Sequence, residues 1–87
     1  AYNSSMWEIE YTNEFLAWWQ TLDVEEQASL TYSIGLLEAR GPRLTRPHAD
    51  TVQDSRHSNM KELRTQHGGR PYRTFFAFDP RRTAILL

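Results

Sequence analysis

Residues 56–87 read RHSNMKELRTQHGGRPYRTFFAFDPRRTAILL, three short runs separated by two turn signals. Gly68-Gly69 accepts positive φ at no steric cost, and Asp79-Pro80 opens a turn with proline where its fixed φ is already correct. This punctuation predicts strands over residues 56–64, 71–78 and 83–87, joined as a meander through turns at 67–70 and 79–82. Side chains alternate along a strand. Met60, Glu62 and Arg64 therefore share one face, with Lys61 and Leu63 on the other; further on, Tyr72, Thr74, Phe76 and Phe78 oppose Arg73, Phe75 and Ala77. Tyr72, Phe76 and Phe78 form the better core set, which turns Arg73 to the open face beside Glu62 and Arg64.

Upstream, residues 42–54 are rich in Pro, Arg and Thr and keep neither period, so they read as a surface loop. Gly41-Pro42 ends a helix that begins with Asp23 and Glu26 in a capping-box pattern, with Val24, Ala28, Leu30, Ile34 and Leu37 expected to face inward. Before it, Thr12 or Asn13 caps a helix on which Phe15, Leu16, Trp19 and Leu22 recur at helical spacing and Trp18 widens the stripe. The Trp18-Trp19 pair reads as core rather than as a base-stacking platform, because the acids around this helix repel a phosphate backbone. The run WEIEYT (7–12) alternates as a half-buried strand. The order β-α-α-β-β-β predicts one α+β domain, a small antiparallel sheet with a helical hairpin on one face. It spans residues 6–87; AYNSS (1–5) reads as added residues ahead of it.

The chain has 87 residues, 39% hydrophobic and 24% charged, which excludes disorder and allows a single small core. It has no cysteine, and His48, His57 and His67 lack metal-ligand spacing, so no metal or other cofactor is expected. No apolar run suits a membrane span or signal peptide, and a cytoplasmic protein fits best. The net charge of −1 hides an uneven split: residues 1–38 carry seven acids and no Lys or Arg, whereas residues 39–87 carry ten bases against four acids. Either the halves neutralise one another or the basic half meets a polyanion. On the open sheet face one carboxylate, Glu62, is too few for Arg64 and Arg73 with Arg81 and Arg82 at the rim. Unpaired guanidinium forks there suit phosphate oxygens.

The pieces GPRLTRPHADTV (41–52), the Ser55/His57 pair, NMKELR (59–64), PYRTFFAFDPRR (71–82) and AILL (84–87) resemble, in that order, the HigB-like branch of the RelE/ParE toxins of bacterial type II toxin–antitoxin systems. The resemblance implies a ribosome-dependent mRNA endonuclease that halts translation until a cognate helix-turn-helix antitoxin binds it in a hetero-oligomer. Its chemistry is metal-free: the RNA's own 2′-hydroxyl attacks the adjacent phosphate, which calls for a base, an acid and cations at phosphorus. On the matching positions, Arg64 and Arg73 would hold the scissile phosphate, and His57 or His67 would serve as base or acid. Lys61, Arg70, Arg81 and Arg82 would grip RNA, and Glu62 would orient arginines or act as base. Two other readings stay open, a ParE-like toxin that binds DNA gyrase without cutting RNA and an inactive remnant that still binds antitoxin. Such toxins usually continue past the AILL strand with a glycine-rich segment and a final helix. The expectation here is a chain without that segment, its last strand left as an exposed sheet edge open to a partner strand.

Overall fold

A computed structural model of the chain describes residues 6–52 and 60–87. Strand β1 (Glu8–Tyr11) leads into α1 (Asn13–Trp19) and α2 (Val24–Arg40), followed by a 3-10 turn (Gly41–Arg43) and the strands β2 (Ala49–Thr51), β3 (Lys61–His67), β4 (Arg70–Asp79) and β5 (Thr83–Leu86). The five strands form one sheet in the order β1-β5-β4-β3-β2, and the helices pack on one face of it. The α+β class read from the sequence stands. Three details differ.

First, the sheet is mixed: β2, β3, β4 and β5 pair antiparallel, but β1 runs parallel to β5, Glu8 beside Thr83 and Tyr11 beside Leu86. Strand β5 is therefore interior, and the expected open edge at residues 83–87 does not exist; the edges are β1 and β2. Second, the segment read as loop folds back onto the sheet. Leu44 and Ala49 are buried, and β2 pairs with the first half of β3. Third, the meander turn is tighter than the four residues expected. Gly68 and Gly69 both take positive φ (59° and 79°), so β3 runs to His67 and β4 starts at Arg70. The part of the expected strand at residues 56–59 lies outside the described residues.

Both predicted caps form. Thr12 accepts from the Phe15 N–H at 3.1 Å, and Asp23 and Glu26 exchange side-chain to backbone bonds at 2.8 Å each. Two orphan donors at the start of α2 are thereby satisfied. Gly41, at φ +55°, stops α2 and lies directly under the Trp7 indole, where no larger residue fits.

The core is Phe15, Leu37, Leu44, Ala49, Leu63, Phe76, Ala84 and Leu86, with Leu30 also wholly buried. Trp18 and Trp19 pack beside Phe15, ring centroids about 6 Å away, which places the tryptophan pair against the core. Helix α2 corrects one expectation. Leu30, Ser33 and Leu37 face inward, whereas Val24 and Ala28 are exposed. At about 100° per residue, Val24 and Ala28 stand roughly 120° and 160° around the helix from Leu30, so one face could not hold all of them. Among the described residues no helix is long and apolar enough to cross a membrane.

Candidate functional site

The register of the β3–β4 hairpin sets Arg64 opposite Arg73 and Glu62 opposite Phe75, while β2 sets Asp50 opposite Glu62. Alternation sends their neighbours Leu63, Thr65 and Thr74 into the core, so Arg64, Arg73, Glu62 and Asp50 stand on the face turned away from the helices. Glu62 lies between the arginines: one carboxylate oxygen is 3.3 Å from Nε of Arg73 and 3.6 Å from Nε of Arg64. That oxygen is buried and receives no well-directed hydrogen bond, so its charge is met by proximity alone. The Arg73 side chain is 66% exposed, that of Arg64 38%, and that of Glu62 12%. The carboxylate sits at the base of the group and the guanidinium heads reach solvent above it.

Asp50 is the member that sequence reasoning missed. Its Oδ2 takes Nη2 of Arg64 at 3.3 Å and Nε of Arg46 at 2.8 Å. The Thr51 N–H and the Arg46 guanidinium hold its carboxyl below the ordinary carboxylate range, so it stays ionised at neutral pH. The expectation that one carboxylate faces the arginines is corrected. Three arginines (Arg46, Arg64, Arg73) meet two carboxylates (Asp50, Glu62), leaving a local charge of +1. No periodic signal announces Asp50, because β2 is only three residues long.

The other predicted residues are dispersed. His57 lies outside the described residues. His67 falls on the helix side, three positions from Arg64 and so of opposite parity; its Nδ1 is 2.7 Å from the Ser29 hydroxyl and its ring meets Tyr72 edge-on. His67 is thereby separated from the arginine pair. Lys61 shares the parity of Leu63 and lines a shallow recess with Arg46, Asp50 and Thr51 at the β2 edge. Arg70 is exposed at the hairpin end. Arg81 is clamped by Asp79 at 2.6 and 2.9 Å and approaches Glu10 at 3.7 Å, while Arg82 stacks over the Trp7 ring at 5.1 Å. Asp79 holds the Arg81 guanidinium even more firmly protonated than usual. These two lie at the far end of β4, about 20 Å of strand from Arg73.

Of the ion pairs among the described residues, one joins the acidic and basic halves of the chain, Arg81 with Glu10; the rest lie within residues 39–87. Close pairing between the halves is thus limited among the described residues, although Glu26 also feels the charge of Arg70. His48, which the sequence marks only by its lack of metal-ligand spacing, borders the site. Its carbonyl accepts the Arg64 N–H at 2.7 Å, and with Ser29, Tyr32, Ser33, Arg64 and Gln66 it lines a pocket of about 470 Å³. No group of acidic or histidine side chains among the described residues is placed to hold a metal ion.

Comparison with known proteins finds relatives of this chain. Residues 17–87 match the model of the family described as phage-derived protein Gp49-like (DUF891). The chain is 51% identical over 70 residues to a Mycobacterium tuberculosis protein named as a candidate toxin, HigB3, covering 80% of this chain and 60% of that protein. It is 50% identical over 72 residues to a second one from that organism, named as a candidate toxin, HigB2, covering 82% of this chain and 36% of the relative. The chain therefore spans little more than half of one relative's length and about a third of the other's. No solved structure matches it. With the family model spanning most of its length, the chain belongs to the phage-derived Gp49-like family.

Proposed function

We propose that this chain is the toxin of a bacterial type II toxin–antitoxin pair and acts as a ribosome-dependent mRNA endonuclease, neutralised by a helix-turn-helix antitoxin. The observation that supports it is the pair Arg64 and Arg73, side by side on an open sheet face with Glu62 at their base. The relatives named as candidate toxins point the same way.

A phosphodiester laid across the pair would receive the guanidinium N–H groups that Glu62 leaves unused. Attack of the 2′-hydroxyl oxygen, its proton passing to water, forms the new P–O bond as the bond to the 5′-oxygen breaks and that oxygen takes a proton from water, giving a 2′,3′-cyclic phosphate and a free 5′-hydroxyl. Negative charge grows on the non-bridging oxygens in between, where two fixed cations lower the barrier. Glu62 restrains both arginines, so little side-chain entropy is lost when the phosphate arrives.

Primer-extension mapping of a translated mRNA after brief expression, with and without Arg73→Ala, tests this. Cuts within codons that need translation and vanish with Arg73→Ala are expected. A second reading, a ParE-like toxin that binds DNA gyrase, is favoured by the local charge of only +1, since a protein partner needs less cationic surface than RNA. Intact transcripts with DNA damage and arrested growth would select it.

A further inference from the structure

Helix α2 has two largely uncharged faces, and the core uses one of them. Leu30, Ser33 and Leu37 are buried against the sheet. At about 100° per residue, Val24, Ala28, Thr31, Tyr32, Gly35 and Ala39 fall within an arc of about 100° on the opposite side. All six are exposed, Val24 by 80% and Tyr32 by 67%, and a methyl group built on Gly35 meets nothing within 4 Å. None carries a charge, so a neutral strip runs the 17-residue length of the helix, about 25 Å. A surface helix ordinarily places charged groups opposite its buried face; one neutral on both sides is expected to be covered on both.

We propose that this strip binds the same strip of a second copy of the chain, the two α2 helices running antiparallel about a two-fold axis between Thr31 and Tyr32. That axis sets Val24 against Ala39 of the second copy and Ala28 against its Gly35, larger onto smaller each time, so the helices can approach closely. The charges at the two ends select this arrangement. Glu25 in the first turn and Arg40 in the last lie on the same flank of the strip, and neither makes an ion pair among the described residues. An antiparallel pair brings each Glu25 to the Arg40 of the other copy on one flank, while Glu38, level with the other copy's Glu25, stands on the opposite flank. A parallel two-fold pair would put Glu25 and Arg40 of the two copies on opposite flanks and at opposite ends, so neither would find its counter-ion. The exposed head of Arg73 stands on the sheet face turned away from the helices, so this pairing leaves it uncovered; Tyr32, at the edge of the strip, also borders the pocket that Arg64 lines.

Sedimentation equilibrium of the whole chain across a wide concentration range tests it. The mass is expected to rise from 10.2 kDa toward twice that value. Gly35→Arg, which enters open space and improves helix propensity, is expected to weaken association by about tenfold or more without lowering the melting temperature measured at concentrations where the chain is a single copy. Glu25→Arg and Arg40→Glu are each expected to weaken it about threefold, and the double exchange to restore it. A single-chain mass at every concentration overturns the proposal, as does association indifferent to Gly35→Arg. A double exchange no better than either single one overturns the antiparallel arrangement. Monomers whose strip is filled only by a different protein, with Gly35→Arg blocking that capture, would replace the second copy with a foreign helix.

Discussion

Arg64 and Arg73 share one carboxylate, and their energetic and functional weights differ. Arg73 is mostly exposed, but the Glu62 oxygen beside it is buried, so losing Arg73 leaves that carboxylate to Arg64 alone. Arg73→Ala is therefore expected to lower stability in a urea titration by about 1–3 kcal/mol while abolishing growth arrest; retained arrest in the folded variant would remove Arg73 from the mechanism. A second residue-scale prediction concerns pH. The Tyr72 hydroxyl donates to the Glu26 carboxylate, and with the Asp23 N–H it holds the Glu26 carboxyl below the ordinary 4.5. A depressed carboxyl contributes stability that is present above the unfolded value and lost as pH falls through the folded one. The same bond raises Tyr72, whose contribution is present below its ordinary 10 and lost as pH rises through the higher folded value. Tyr72→Phe is expected to lower stability at neutral pH and to flatten its decline in acid, read as denaturant midpoints from pH 3 to 7. Unchanged acid dependence would mean that the Asp23 N–H alone sets Glu26. Alternation along two strands made the Arg64–Arg73–Glu62 face legible in the sequence, since strand faces follow from parity once the turn is located. Asp50 was hidden because its strand is shorter than any periodic window, and His48 because only tertiary pairing brings it to Arg64.

At the scale of the element, the caps were the most readable features, because a cap depends on a few adjacent residues. Asp23→Ala removes one half of the capping box and is expected to cost about 1 kcal/mol, measured by thermal or urea unfolding. Gly41→Ala is expected to cost more. Backbone conformation alone accounts for about 1–3 kcal/mol at a positive φ, and the added carbon would stand 2.3 Å from the Trp7 ring nitrogen. Trp7 would have to leave Phe78, its edge-on neighbour at 5.0 Å, so loss of tryptophan fluorescence structure alongside stability checks the cause. Helix α2 was the less legible element: apolar residues at 24, 28, 30, 34 and 37 do not all lie on one 3.6-residue face, and the inward set is decided by which of them the sheet can reach.

For the whole molecule, the helix-and-strand order was legible from local punctuation, but the closure of the sheet was not. Pairing of β1 with β5 joins residues about 75 positions apart, and neither strand carries a local mark of the other. The charge segregation was legible as a number, but not the local pairing within the basic half, where Asp50, Glu62 and Asp79 sit against its arginines. If two or three phosphates meet the arginine face, the logarithm of RNA affinity should fall with the logarithm of salt at a slope of about −1.5 to −2. Arg73→Ala should reduce that slope by about 0.7, which a filter-binding titration would show. A slope near zero would argue for a protein target on this face.

The interior position of β5 also sets an order in time. Strand β1 is synthesised first yet has no partner in the sheet until residues 83–86 exist, which at about 5–20 residues per second is a delay of about 4–15 s. The β3–β4 hairpin, whose strands are joined by two glycines, needs no such wait. A nascent chain can therefore assemble Arg64, Arg73 and Glu62 while the apolar side chains of β1 and α1 still lack their sheet. Until β5 slots between its neighbours, Ile9 and Phe15 are surfaces that a chaperone can hold.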